Sequence, residues 1–208
     1  YTLRLDLLSA RGGLLDSFYP EEFGFREFTI RGNQFYLNGN KFHLRAAAVN
    51  NTRFPAKATD EMLAHMIRVY KKFHINFLLE SIYDFAPGTC CYNAAYWRAT
   101  SKAGILTSMS MPHVKNFNFD MKNPRNAAEY RRIAEHQIRR YQNIPGIIMF
   151  AANHNAMGYA DQQNPERIGT SESGKTGLTP FSRNRRDQAL LAEQILHGID
   201  PTRPVYHH

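Results

Sequence analysis

From Leu44 onward, short apolar runs alternate with helix-length amphipathic segments, and this alternation restricts the fold more than any other feature of the chain. Residues 44–49, 75–81, 104–110 and 146–152 are strand-length and apolar, as buried parallel strands are. Between the first two, Thr59 is placed to cap a helix running through Phe73, with Met62, Met66, Ile67, Val69, Tyr70 and Phe73 as its apolar stripe. Residues 92–102 and 123–142 are the next two helices, the second with Pro124 near its first position. The polar stretch from Asn153 to Asn184 is too long for a plain connector in a compact domain and is expected to be a lid or an insertion. A last helix over 185–198 and a fifth strand starting at Val205 and Tyr206 complete the series.

Such alternation predicts a parallel sheet with right-handed crossovers, either doubly wound or part of a (β/α)8 barrel. No strand is followed by Gly-x-Gly-x-x-Gly or by Gly-x-x-x-x-Gly-Lys-Ser/Thr, so the phosphate-binding devices of the doubly wound classes are missing. Ser171-Glu-Ser-Gly-Lys-Thr176 has half of a phosphate loop, without its first glycine and without a preceding strand. The beginning of the chain is different. Residues 1–8 and 23–30 alternate as strands, Ala10-Arg-Gly-Gly13 is a turn, and Asn38-Gly39 between alternating apolar residues marks a hairpin.

With 208 residues, 43% hydrophobic and 12% aromatic, the chain can bury a substantial core. It has no apolar run of about 18 residues, so no membrane-spanning helix is expected. Its N-terminus lacks the regions of a signal peptide, and it starts without Met, as it would if a leader were removed or not included. Cys90 and Cys91 are adjacent, which suits neither a disulfide nor a zinc motif, and they are read as free thiols. The net charge of +8 is dispersed. Arg131, Arg132, Arg139 and Arg140 share a predicted helix with Glu129 and Glu135 and are expected on its solvated face, while Arg183, Arg185 and Arg186 fall in a polar loop. No nucleic-acid motif accompanies them, so no nucleic-acid partner is expected.

Five short motifs point to one family. Phe150-Ala-Ala-Asn153-His154 resembles the Trp-Ser-x-Gly-Asn-Glu signature of glycoside hydrolase family 2, with the last residue changed. Phe23-Gly-Phe-Arg-Glu27, Phe35-Tyr-Leu-Asn-Gly39 and His43-Leu-Arg45 resemble the junction where the family's β-sandwich ends and its barrel begins. Asp200-Pro-Thr-Arg-Pro204 resembles the segment leading into its fifth strand. The resemblance covers most of the chain. It implies an α/β chain in which residues 1–30 are the last strands of a β-sandwich and residues 31–208 the first half of a (β/α)8 barrel. About 250 residues and eight strands are usual for a whole barrel. The chain is therefore expected to be a piece of a longer multidomain enzyme, or a half-barrel that covers its open edges by pairing with a second copy.

The resemblance also implies a carbohydrate substrate, hydrolysis of β-glycosides and no cofactor. The retaining mechanism uses two carboxyl groups about 5 Å apart at the carboxyl ends of barrel strands. The acid/base carboxylate would follow Asn153, where this sequence has His154; the nucleophile would come from a later strand. Imidazole donates protons near neutral pH, so His154 is the candidate acid. Asn153, Asn155, Arg45, His113 and Tyr159 are the candidate sugar contacts, with Tyr83 and Phe85 in the loop after strand two as further aromatic candidates. Trp97 is expected to pack between helix and sheet. Glu80 ends strand two and Asp161 and Glu166 lie in the long loop, so none is assigned as nucleophile. Two other readings stay open: a non-catalytic sugar-binding relative, and a metal-dependent hydrolase using His113, His154, His207 and His208 at strand ends.

Overall fold

A computed structural model describes residues 1–49, 59–80, 93–153 and 180–207. The chain opens with an antiparallel hairpin, β1 (Thr2–Leu8) and β2 (Leu14–Glu22), followed by a three-stranded antiparallel sheet of β3 (Phe28–Arg31), β4 (Gln34–Leu37) and β5 (Asn40–Phe42). Five parallel strands come next: β6 (Ala46–Val49), β7 (Phe77–Glu80), β8 (Leu106–Ser110), β9 (Ile147–Asn153) and β10 (Val205–His207). Between them run α1 (Asp60–Lys72), α2 (Asn93–Lys102), α3 (Pro124–Tyr141) and α4 (Pro180–Ile199). Each parallel strand pairs with its neighbour in sequence, in the order β10-β9-β8-β7-β6. That order has no reversal, so the sheet lacks the switch point of a doubly wound fold.

Local signals account for most boundaries. Thr59 Oγ1 accepts the Met62 amide at 3.3 Å and starts α1, and Asn123 Oδ1 accepts the Arg125 amide at 3.0 Å and starts α3 ahead of Pro124. Asn38 and Gly39 take φ of 50° and 79°, the left-handed pair that a tight turn between β4 and β5 requires. The last helix begins at Pro180, earlier than the 185 expected. The arginines of α3 are solvated as expected: Arg132 pairs with Glu129 at 2.7 Å and Arg139 with Glu135 at 3.7 Å along the exposed face.

The expected strand over 23–30 forms only from Phe28, as β3. The second strand is β2, and regular structure stops after Glu22 because residues 23–27 are committed to a different contact. A Cβ on Gly24 would stand 2.9 Å from Pro145 Cγ, so the backbone lies directly on that ring. Arg26 then donates Nε to Pro145 O at 3.0 Å and Nη2 to Ile147 O at 2.8 Å. Arg203 donates Nε to the same Ile147 O at 2.9 Å and Nη2 to Gln142 O at 2.9 Å, while its Nη1 pairs with Asp200. Two guanidiniums thus satisfy the carbonyls of the turn before β9. Phe28–Arg31 pairs with β4, so the antiparallel sheet runs across residue 30 without interruption.

The parallel sheet buries both faces. Leu78, Met109, Ile147, Phe150 and Ala152 meet the helices through Leu63, Trp97, Tyr130, Ile138 and Leu196. Trp97, 1% exposed, packs edge-on to Tyr141 at 4.7 Å between helix and sheet. On the other face Phe77, Leu106, Ile148 and Met149 pack with Phe28, Phe35, Leu37 and Phe42 of the three-stranded sheet. Other apolar groups are exposed: Leu3, Leu5, Leu7 and Phe18 on the β1–β2 hairpin, and Met62, Val69 and Phe73 on α1. Among the described residues no helix is long and apolar enough to cross a membrane.

A close approach of α2 to the start of β9 is made at Gly146, whose amide donates to Ser101 Oγ at 3.0 Å. A Cβ there would stand 2.8 Å from Ser101 Cβ and 3.0 Å from its Cα, so backbone would have to move. Gly146→Ala is expected to destabilise the chain by about 1–3 kcal/mol, read as a lower urea midpoint with an unchanged slope.

Candidate active site

In a parallel sheet the carboxyl ends of the strands collect the loops, and the side chains there converge without disturbing the core. Asn153 is the last residue of β9 and pairs with His207 of β10. His113 reaches the same end from β8. The pairing Ser110↔Ala151 and the Met111 amide, which donates to Ala151 O at 2.9 Å, keep the end of β8, three residues before His113, beside the end of β9. Its ring is 4% exposed, and it sits at the start of a 3-10 turn over Val114–Phe117. His207 also lies at this end, with Nε2 2.9 Å from Glu193 Oε2 of α4.

Arg45 is not part of this group. It precedes β6, so it stands at the amino end of the sheet, about 20 Å from Asn153 along the strand direction and three strands across. Its Nε donates to His74 O at 2.6 Å, its amide to Asn76 Oδ1 at 2.7 Å, and its carbonyl accepts from Asn76 and Phe77. Its work is to close the turn into β7, and the expected sugar contact is corrected accordingly. His154, Asn155 and Tyr159 lie outside the described residues, as do Tyr83, Phe85, Cys90, Cys91, Asp161, Glu166, the 171–176 segment and His208. Among the described residues no three His, Cys, Asp or Glu side chains gather to hold a metal ion.

The same end holds a buried polar network that the sequence reading passed over. Glu80, Ser108 and Ser110 are each 1% exposed or less. The Glu80 amide donates to Ser108 Oγ at 2.8 Å, the Ser110 amide donates to Glu80 Oε2 at 2.7 Å, and Ser110 Oγ donates to Glu80 O at 3.2 Å. Gln137 Nε2 of α3 donates to Ser110 O at 2.8 Å, and Tyr206 OH donates to Ser108 Oγ at 3.1 Å. The network therefore ties β7, β8, β10 and α3 together just beneath the strand ends. Burial and the charge of Glu80 push the Tyr96 phenol well up. Burial pushes the Tyr206 phenol up to about 12, with the Ser108 bond opposing and the Glu80 charge adding to the rise. The signal in the sequence was the run Leu106-Thr-Ser108-Met-Ser110, where hydroxyls alternate in an otherwise apolar strand, next to a strand that ends in Glu80.

A cleft of about 280 Å³ lies at the opposite end, between the hairpin and the turn before β9, lined by Glu22, Phe23, Arg98, Lys102 and Pro145. The Lys102–Glu22 ion pair, 2.7 Å long, crosses it. It is remote from Asn153 and His113, and strand-end geometry outweighs cavity size as a guide to the site.

No protein-family model and no curated protein sequence matches the chain. Solved structures do match it. Bacteroides uniformis β-glucuronidase 3 superposes with a TM-score of 0.64 at 21% identity, over 99% of this chain and 23% of its own. The Bifidobacterium dentium β-glucuronidase complexed with coumarin-3-O-glucuronide gives 0.64 at 22%, over 99% and 29%. The GH2 β-galacturonidase from Eisenbergiella tayi bound to galacturonate gives 0.56 at 15%, over 93% and 29%. The chain thus has the fold of a part of these glycosidases and spans about a quarter of their length.

Tyr206 offers a pH test. Its folded pKa, about 12, lies above the ordinary value of 10, so the native state holds this proton longer than the unfolded state does. Stability from this group is complete below pH about 10 and is lost as pH rises toward 12. Tyr206→Phe removes the Ser108 bond, costing about 1 kcal/mol at neutral pH. The gap in melting temperature between the two proteins should then narrow between pH 10 and 12.

Proposed function

We propose that this chain is part of a family 2 glycoside hydrolase acting on β-glycosides: the last strands of a β-sandwich followed by the first half of a (β/α)8 barrel, with the boundary expected at residue 30 moved ahead of β3 (Phe28–Arg31), which pairs with β4 and packs on the parallel sheet. The observation that carries the reading is the sequentially ordered parallel sheet whose β9 ends at Asn153, in a fold shared over 99% of the chain with β-glucuronidases. The five sequence motifs support it independently. Uronides belong among the substrates to try, because the solved neighbours are named for glucuronide and galacturonide hydrolysis. The exposed apolar residues of the hairpin and of α1 fit a chain that packs against further domains or a second copy.

In this reading Asn153 and Asn155 hydrogen-bond sugar hydroxyls, His113 and Tyr159 line the sugar, and His154 protonates the leaving oxygen. A contact to the hydroxyl beside the reacting carbon strengthens as the oxocarbenium-like transition state forms. Imidazolium is a competent general acid, but it is cationic before it donates and neutral afterwards. The second half-reaction then needs it to accept a proton from water, which neutral imidazole does readily near its pKa of about 6.5. Glu80 is not assigned as the nucleophile: it is 1% exposed, buried in the network beneath the strand ends. A sugar-binding relative without turnover is the second reading, favoured by the His in place of the expected carboxylate.

The test is hydrolysis of chromogenic β-glycosides, uronides included, by the whole enzyme of which this chain is proposed to be part, as wild type, His154→Ala and His154→Glu, with and without chelator. Wild-type turnover should fall by about 10²–10⁴ in His154→Ala, hold in His154→Glu and ignore the chelator. Loss of turnover on chelation would transfer the assignment to a metal-dependent hydrolase. Sugar binding with no turnover by any of the three would leave the non-catalytic relative.

A further inference from the structure

The β7–β8 ladder is shorter than its strands. Backbone pairing covers Phe77↔Leu106 and Leu78↔Thr107 and then stops, although β7 continues to Glu80 and β8 to Ser110. On its other side β8 shifts register by one residue between Thr107 and Ser108 but stays paired with β9 as far as Ser110↔Ala151, and the Met111 amide still reaches Ala151 O. So β8 keeps to β9 and parts from β7 at the end where the candidate site lies.

Side chains fill the gap. Ser108 Oγ takes the Glu80 amide, Ser110 Oγ reaches Glu80 O, and Glu80 Oε2 takes the Ser110 amide at 2.7 Å, the short contact of a charge-assisted bond. The carboxylate occupies the place of a strand carbonyl, displaced by the length of one Glu side chain. Three residues beyond Ser110 comes His113, and two residues beyond its partner Ala151 comes Asn153.

We infer that Glu80 is a positioning residue of this site: its carboxylate, standing in for a backbone acceptor, sets the separation of the β7 and β8 ends and thereby the placement of Ser110, His113 and the end of β9. The kinetic part of the inference rests on the glycosidase reading; the structural part does not. Side-chain length is what matters to this role. Gln preserves length and offers an acceptor oxygen, Asp is one methylene short, and Ala removes the acceptor.

The experiment compares wild type with Glu80→Gln, Glu80→Asp and Glu80→Ala by residue-resolved amide hydrogen exchange, and by kcat and KM on whichever β-glycoside the wild type turns over. Glu80→Gln should leave Ser110 amide exchange within about twofold of wild type, while Asp and Ala speed it about tenfold or more, with the α4 amides unchanged. Where turnover exists, Gln should keep both constants, and Asp should raise KM more than it lowers kcat. Wild-type protection of Ser110 in both Glu80→Asp and Glu80→Ala would overturn the inference. So would a Glu80→Gln protein that keeps Ser110 protected yet loses as much activity as Glu80→Asp, because the charge and not the length would then be in use. If Glu80→Ala does not fold, the Gln–Asp comparison decides alone. A wild type that neither binds nor hydrolyses any glycoside removes the glycosidase reading, and the exchange pattern still decides for or against Glu80.

Discussion

Everything at the candidate site depends on where β9 begins, and that is set by two arginines on one carbonyl. Arg26 and Arg203 both donate to Ile147 O, and between them they also take Pro145 O and Gln142 O. Without them the carbonyl of the buried Ile147 would lose both of these donors, at about 1–3 kcal/mol. The arrangement brings two like charges together. Burial and the neighbouring Arg203 lower the Arg26 guanidinium to about 10, still fully protonated at neutral pH. Asp200 offsets the repulsion. Burial works to raise its carboxyl, but hydrogen bonds from Thr202 and the charge of Arg203 prevail and hold it below its ordinary value.

This one contact explains two motifs that are far apart in sequence. Phe23-Gly-Phe-Arg26 supplies the glycine that lies on Pro145 and the first guanidinium; Asp200-Pro-Thr-Arg203 supplies the second, already neutralised. The N-terminal segment, the start of β9 and the entry to β10 are thereby fixed to each other. Once the start of β9 is held, a strand of seven residues at about 3.3 Å each, paired in parallel on both sides, delivers Asn153 to the far end.

The sequence made the parallel strands legible because each is a short apolar run separated by a helix of clear period, and it made the Asn38–Gly39 hairpin legible because only a left-handed pair closes such a turn. The strand expected over 23–30 failed before Phe28 for a tertiary reason. Alternation in Phe23, Phe25 and Glu27 is real, but the backbone there is recruited by Pro145 and Arg26, residues 119 positions apart in the chain. Arg45 failed for a directional one. Being next to a strand says nothing about which end of it a side chain occupies, and Arg45 enters β6 where Asn153 leaves β9. The Glu80 network was hidden because its partners come from three strands and a helix, and no local spacing encodes that meeting.

The network also shows what the site end costs the fold. An uninterrupted β7–β8 ladder would satisfy its amides and carbonyls with one another at no side-chain expense. Here the last rungs are replaced by bonds to two serines and a carboxylate, each of which had to be taken out of water and ordered. Such an exchange is stabilising only while every member stays paired, since a buried carboxylate without a donor is far worse than the apolar residue it replaces. On its other side β8 keeps its pairing with β9 up to this end, so the parting of β7 from β8 is a property of these residues rather than of parallel sheets in general. The polar residues buried at Glu80, Ser108 and Ser110 are thus the means by which an otherwise apolar sheet is parted between β7 and β8, beside the paired ends of β8 and β9 that lead to His113 and Asn153.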